Sequence, residues 1–196
     1  MSLLPSLALL AGGRSSRFGG DKAYARSGER WPLGELFDRL RPAAEEWLVI
    51  GGDPALAAAL QAAHHEDALR DAGPLAGIHA ALSAATRDLV LIVPCDMPRL
   101  PGEMAAVFLR RLGECDALLL RRDAIPVPVC GLYRRSLAGP LALALAGGTR
   151  KITDALEGQR IGYLDAEQLA ADELNPDDFL GFNTREEFAR LFPVTR

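Results

Sequence analysis

Three short apolar runs, each stopped by glycine or proline, constrain this chain most: Leu7 to Leu10 before Ala11-Gly12-Gly13, Trp47 to Ile50 before Gly51-Gly52, and Leu89 to Val93 before Pro94. Runs of about four to eight apolar residues without polar alternation read as strands buried on both faces, as in a parallel sheet covered by helices. The intervening segments Pro54 to Ala63 and Pro74 to Ala85 are rich in alanine and leucine. Each opens on proline, whose missing N–H costs nothing in a first helical turn, so both are predicted crossover helices. The alternation continues with a helix over Pro101 to Leu112, strands over Ala117 to Leu120 and Val127 to Tyr133, a helix over Leu137 to Ala146 and a strand over Ile161 to Leu164. This pattern predicts an α/β fold, a three-layer α/β/α sandwich around an open, mostly parallel sheet. For 196 residues, one domain over 1–196 is expected. The stretch Asp165 to Asp178, with six acids and no base, reads as a solvated connection.

Charge narrows the partners. Lysine and arginine number 22 against 26 aspartates and glutamates, a net charge of −4, which removes the electrostatic reason to expect nucleic acid or an anionic membrane. Small molecules are the expected partners. Cys95, Cys115 and Cys130 are widely spaced and form no Cys-x-x-Cys pair, so neither a disulfide framework nor a zinc site is expected and a reducing cytoplasm fits. Met1 to Leu10 carries no basic leader and meets glycine well short of the ~20 residues of a membrane span, so neither targeting nor anchoring is expected.

The stretch after the first predicted strand, Leu10-Ala11-Gly12-Gly13-Arg14-Ser15-Ser16-Arg17-Phe18-Gly19-Gly20-Asp21-Lys22, carries the chemistry. Glycines expose successive N–H donors to a bound group, and Arg14, Arg17 and Lys22 add positive charge to an otherwise acidic chain. A polyphosphate suits such a loop, and the end of a strand is where open α/β sheets bind ligands. Neither Gly-x-x-x-x-Gly-Lys-Ser/Thr nor Gly-x-Gly-x-x-Gly occurs, so a P-loop and an ordinary dinucleotide fold both lack their fingerprint. The bland reading is a basic glycine-serine surface turn.

The pattern Leu-Ala-Gly-Gly-x-Ser-x-Arg-x-Gly-Gly-x-Lys resembles the signature loop of the MobA-like nucleotidyltransferases, with Phe18 where methionine is usual. Gly12-Gly13 after Ala11 is more similar to the guanylyl-transferring branch than to the cytidylyl-transferring one, which tends to read Leu-Ala-Ala-Gly. The resemblance spans Leu10 to about Leu191. It implies the Rossmann-like sheet of nucleotide-diphosphate-sugar transferases, with a nucleotide-binding N-terminal half and an acceptor-binding C-terminal half. It also implies that Leu10, Ala11, Gly12 and Gly13 meet the nucleotide while Arg17 and Lys22 hold its triphosphate.

Asp96, in Pro94-Cys95-Asp96-Met97-Pro98, is one carboxylate at the end of an apolar strand. Alone it reads equally as a cap, but Mg²⁺ binds through one or two carboxylates plus substrate phosphates, and the segment is similar to the family's metal-binding one. Asp67, ahead of Gly73-Pro74-Leu75-Ala76-Gly77, stands where the family has a nucleotide-contacting aspartate, with Asp71 the alternative. His64, His65 and His79 lack partners at metal-ligand spacing, Cys95 lacks a histidine partner, and Arg121-Arg122 and Arg134-Arg135 read as solvated strand ends. Gly147-Gly148-Thr149-Arg150-Lys151 precedes a short predicted helix, Lys151 to Leu156, and offers a second phosphate site beside the plain reading as a helix start. The family places acceptor recognition in this half, which makes Arg150, Lys151 and Asn183 candidates. The chain departs from the family at Gly51, a position the resemblance assigns to nucleotide binding and where asparagine is usual, and at Gly181, which replaces the first of two usual asparagines.

The activity implied by the resemblance is Mg²⁺-dependent transfer of GMP from GTP to the terminal phosphate of molybdopterin, releasing pyrophosphate. Lys22, Asp96 and Arg17 would carry the catalytic charge, and contacts with molybdoenzymes or proteins of the cofactor pathway would follow. A sibling transferase using CTP or a sugar phosphate stays open, because the loop reports triphosphate handling better than base identity. So does a nucleotide-binding regulator that has lost catalysis, which Gly51 and Gly181 motivate.

Overall fold

The computed structural model describes residues 4–12, 18–67 and 73–193. Seven strands, β1 (Ser6–Leu10), β2 (Glu46–Ile50), β3 (Ala63–His65), β4 (Leu89–Pro94), β5 (Ala117–Arg122), β6 (Ile125–Arg134) and β7 (Ile161–Leu164), form one sheet in the order β3-β2-β1-β4-β6-β5-β7. Every pairing is parallel except the two that β6 makes, with β4 and with β5. The helices are α1 (Pro32–Leu40), α2 (Pro54–Ala59), α3 (Pro74–Ala84), α4 (Met104–Leu112), α5 (Ala138–Ala146), α6 (Ile152–Ala155), α7 (Ala166–Ala171) and α8 (Arg185–Leu191).

Strand side chains alternate between faces, and β1 shows how the layers divide. Leu7 and Leu9 pack with Leu36 and Phe37 of α1, Leu56 of α2 and Phe108 of α4, while Ala8 faces Ile78 and Leu82 of α3 and Leu141 of α5. Helices therefore cover both faces, and the expected three-layer α/β/α sandwich is the observed architecture. Helix α1 starts at Pro32 and buries Leu33, Leu36, Phe37 and Leu40, the i, i+3, i+4, i+7 stripe of an amphipathic helix.

Other expectations need correction. The helix opened by Pro54 stops at Ala59, and Gln61 takes a φ of +50° so that the chain turns into β3, the edge strand already beginning at Ala63. The helix expected from Pro101 starts at Met104, and the one expected from Lys151 spans only Ile152–Ala155. The acid run is not merely a solvated connection. Asp165 caps α7 and pairs with Arg121 at 2.8 Å, Asp172 receives both Arg110 and Arg111, and Asp178 pairs with Arg99. Those arginines lie at least 44 positions away in the chain, so only the fold brings the bases to the acids.

Topology fixes where a ligand can sit. The chain runs from β1 outward through β2 and β3, then returns to place β4 on the other flank of β1, and the exits diverge at this reversal. Three backbone hydrogen bonds step across the exits: Gly51 N–H to His65 C=O at 2.8 Å, Ala11 N–H to Ile50 C=O at 3.0 Å, and Cys95 N–H to Leu10 C=O at 3.2 Å. No described helix is long and apolar enough to cross a membrane.

Candidate active site

A cavity of about 1090 Å³ opens at these exits, walled by Leu10, Ala11 and Gly12 after β1, Gly51 and Gly52 after β2, and Asp67 after β3. Gly73 and Pro74 at the start of α3, Cys95 and Asp96 after β4, and Asp21 and Lys22 complete it. Seven residues expected at the site from the sequence, namely Leu10, Ala11, Gly12, Lys22, Gly51, Asp67 and Asp96, thus share one wall. Gly13, Arg14, Arg17 and Asp71 lie outside the described residues. At Gly51 φ is +69°, and a Cβ would sit 3.1 Å from the Gly12 Cα. Glycine there lets the β1 and β2 exits lie backbone to backbone, exposing main chain where a larger residue would intrude.

Lys22 is held from several directions. Asp21 accepts from the Ala23 N–H at 2.9 Å and caps the 3-10 turn Lys22–Tyr24, and the Trp31 indole N–H donates to the Ala23 carbonyl at 2.7 Å. The ammonium has three protons, and all find acceptors: Asn183 Oδ1 at 2.9 Å, the Phe182 carbonyl at 3.0 Å and Asp96 Oδ2 at 3.4 Å. The Phe182 N–H donates to the Asp96 carbonyl at 3.0 Å, so the chain around residue 182 straddles the Lys22–Asp96 pair. A Cβ on Gly181 would lie 3.2 Å from the Asp96 carbonyl oxygen and 3.5 Å from its Oδ1, a second close approach that glycine permits.

Burial pushes the Asp96 carboxyl above the usual carboxylate range, against the opposing pull of Lys22. Burial pushes the Cys95 thiol to about 12, so it remains protonated and is no nucleophile at neutral pH. Among the described residues no three His, Cys, Asp or Glu side chains gather into a metal-binding group. One hard, partly solvated oxygen donor suits Mg²⁺ and does not suit zinc, which takes three or four protein ligands.

Arg150 and Lys151 do not line the cavity. Arg150 donates to the carbonyls of Thr149 at 3.0 Å and Leu145 at 3.5 Å, and Lys151 pairs with Asp154 at 3.5 Å. Asn183 reaches the site, as an acceptor for Lys22. Sequence reasoning missed Phe182 and Arg185. Phe18, Phe182, Phe188 and Phe192 form one aromatic cluster, and Arg185 donates to the carbonyls of Phe18 and Gly19. The density of phenylalanine near the C-terminal end is a signal for the cluster, but it names no partner by itself.

Residues 7–161 match the family model described as the MobA-like NTP transferase domain. A relative from Carboxydothermus hydrogenoformans named "Probable molybdenum cofactor guanylyltransferase" is 30% identical over 189 residues, 96% of this chain and 95% of its own. A molybdenum cofactor guanylyltransferase from Vibrio parahaemolyticus is likewise 30% identical, over 95% of this chain and 94% of its own. The crystal structure of molybdopterin-guanine dinucleotide biosynthesis protein A from Archaeoglobus fulgidus superposes with a TM-score of 0.79 at 26% identity, covering 95% of this chain and 96% of that one.

Proposed function

From the premise that the chain belongs to the MobA-like NTP transferase family, we propose that it transfers GMP from GTP to the terminal phosphate of molybdopterin, releasing pyrophosphate. The observation that carries this reading is the meeting of Lys22 and Asp96, 3.4 Å apart in the cavity where the β1 and β4 exits diverge. Relatives named for guanylyl transfer to the molybdenum cofactor support the choice of substrates.

The chemistry asks for alignment and charge rather than a covalent intermediate. An acceptor phosphate oxygen attacks the α-phosphorus of GTP, the new O–P bond forms as the bond to the bridging oxygen of the β-phosphate breaks, and the electron pair leaves with pyrophosphate. Lys22 would meet that leaving group by exchanging Asn183 or the Phe182 carbonyl, which it now holds, for phosphate oxygens. Backbone at Ala11 and Gly12 gives the nucleotide a wall without intruding side chains, and the N-terminus of α3 adds a positive dipole end for an anion or base edge. Asp96 is the residue that would hold Mg²⁺, which when bound supplies charge neutralisation at the phosphates. Arg17 would add a second cation from the loop, and the acceptor would enter from the side of the C-terminal half.

The test is pyrophosphate release from purified protein given molybdopterin, Mg²⁺ and each nucleoside triphosphate in turn, in parallel with Asp96→Ala. The expected result is release with GTP only, lowered about 10³-fold in the variant, in line with the loss of a buried electrostatic group. Release with CTP alone would transfer the reading to a cytidylyl sibling, and undiminished turnover by the variant would remove Asp96 from the chemistry.

A further inference from the structure

Helix α8 lies about 160 residues beyond the glycine-rich segment yet grips its exit. Arg185, the first residue of α8, donates from Nε to the Phe18 carbonyl at 3.1 Å and from Nη2 to the Gly19 carbonyl at 3.3 Å. Its guanidinium lies 5.4 Å from the Phe18 ring centroid, within cation–π range. The Phe18 ring in turn packs 5.4 Å from Phe182 and edge-on to Phe188 at 6.1 Å. A Cβ on Gly20 would lie 3.6 Å from Nη2, so the guanidinium also covers the next residue.

Two neighbouring carbonyls turned to one side chain fix two peptide planes. In a trans peptide the C=O and the following N–H point in opposite directions, so the Gly19 and Gly20 N–H groups are directed away from α8. The planar guanidinium fork is suited to holding both carbonyls at once, which a lysine ammonium does less well. Immediately downstream, Asp21 and Lys22 enter the cavity wall, and Phe182 and Asn183, just ahead of α8, accept from Lys22. Arg185 itself is exposed, so it contributes to placement more than to the core.

We propose that Arg185 is a positioning residue for the triphosphate, pre-setting Phe18 to Gly20 so that Lys22, immediately downstream in the cavity wall, meets the phosphates without further ordering. The C-terminal segment then belongs to nucleotide binding as well as to acceptor binding. The inference rests on the triphosphate reading of the cavity, and the experiment separates the two.

Wild type, Arg185→Ala and Arg185→Lys are titrated calorimetrically with GTP, inorganic triphosphate and GMP in Mg²⁺ buffer, and their thermal unfolding is followed. Arg185→Ala is expected to weaken GTP and triphosphate about tenfold, the worth of one charge-assisted hydrogen bond. GMP affinity stays unchanged, and Arg185→Lys recovers part of the loss. Melting temperatures stay within about 2 °C, as for an exposed side chain. Undiminished triphosphate binding by Arg185→Ala overturns the inference while leaving the function standing. Equal losses for GMP and triphosphate with a lowered melting temperature overturn it in favour of a structural role. A wild type that binds neither GTP nor triphosphate overturns the functional reading and this inference with it.

Discussion

At Lys22 one ammonium satisfies three acceptors from two parts of the chain, Asp96 and the adjacent pair Phe182-Asn183, and on the proposed function this is the state a nucleotide would compete with. The contacts place the cation but would also weaken binding, since each phosphate oxygen gained would cost a hydrogen bond lost. Lys22→Ala is expected to weaken GTP about 10- to 100-fold, the usual worth of a charged hydrogen bond to phosphate, with GMP nearly unaffected; calorimetry checks both. An unchanged GTP affinity would take the triphosphate away from this lysine. Lys22 and Asp96 were both legible because each closes a short, unusual motif at the end of an apolar run. Phe182 was not, since it acts through its backbone carbonyl, and any residue type supplies one. Gly181 stood out only as a missing asparagine, whereas its place beside the Asp96 carbonyl belongs to tertiary structure.

Among the elements, the buried strands were plain in the sequence because a continuous apolar run ended by glycine fits little besides a strand covered on both faces, and β7 keeps the bounds Ile161–Leu164 expected of it. Helix α7 was hard to see, because it carries its apolar contribution on a single buried leucine, Leu169. What fastens α7 is charge: Asp172 at its C-terminal end accepts from Arg110 and Arg111 at the end of α4. Hydrogen bonds from Arg111 first, then Arg110, hold the Asp172 carboxyl below the usual carboxylate range. A carboxyl whose titration is lowered by folding contributes stability above its unfolded pKa and loses it as pH falls through the folded value. Asp172→Asn is therefore expected to melt below the wild type at neutral pH, and the two melting temperatures should converge as pH drops below the usual carboxylate range. Scanning calorimetry across that range is the check, and a gap independent of pH would mean that charge is not what fastens α7.

Over the whole molecule, one topological reversal and one C-terminal return create the site. The reversal at β1 opens the cavity between the exits of β2 and β4, and alternating strands and helices made such a reversal foreseeable without saying where it fell. The return was not foreseeable. A chain divided into a nucleotide half and an acceptor half would keep residues 181–185 away from Lys22, yet the fold lays them over it, joined through the Phe18, Phe182 and Phe188 rings. Packing between segments about 160 residues apart leaves no periodic trace in either one. If the two ends of the chain enclose a triphosphate between Lys22 and Asp96, a crystal structure with a non-hydrolysable GTP analogue and Mg²⁺ must show it. Phosphate oxygens are expected within hydrogen-bond distance of Lys22 Nζ, with the cation on Asp96. A nucleotide bound elsewhere, with Lys22 still donating to Asn183 and Phe182, would contradict the enclosure.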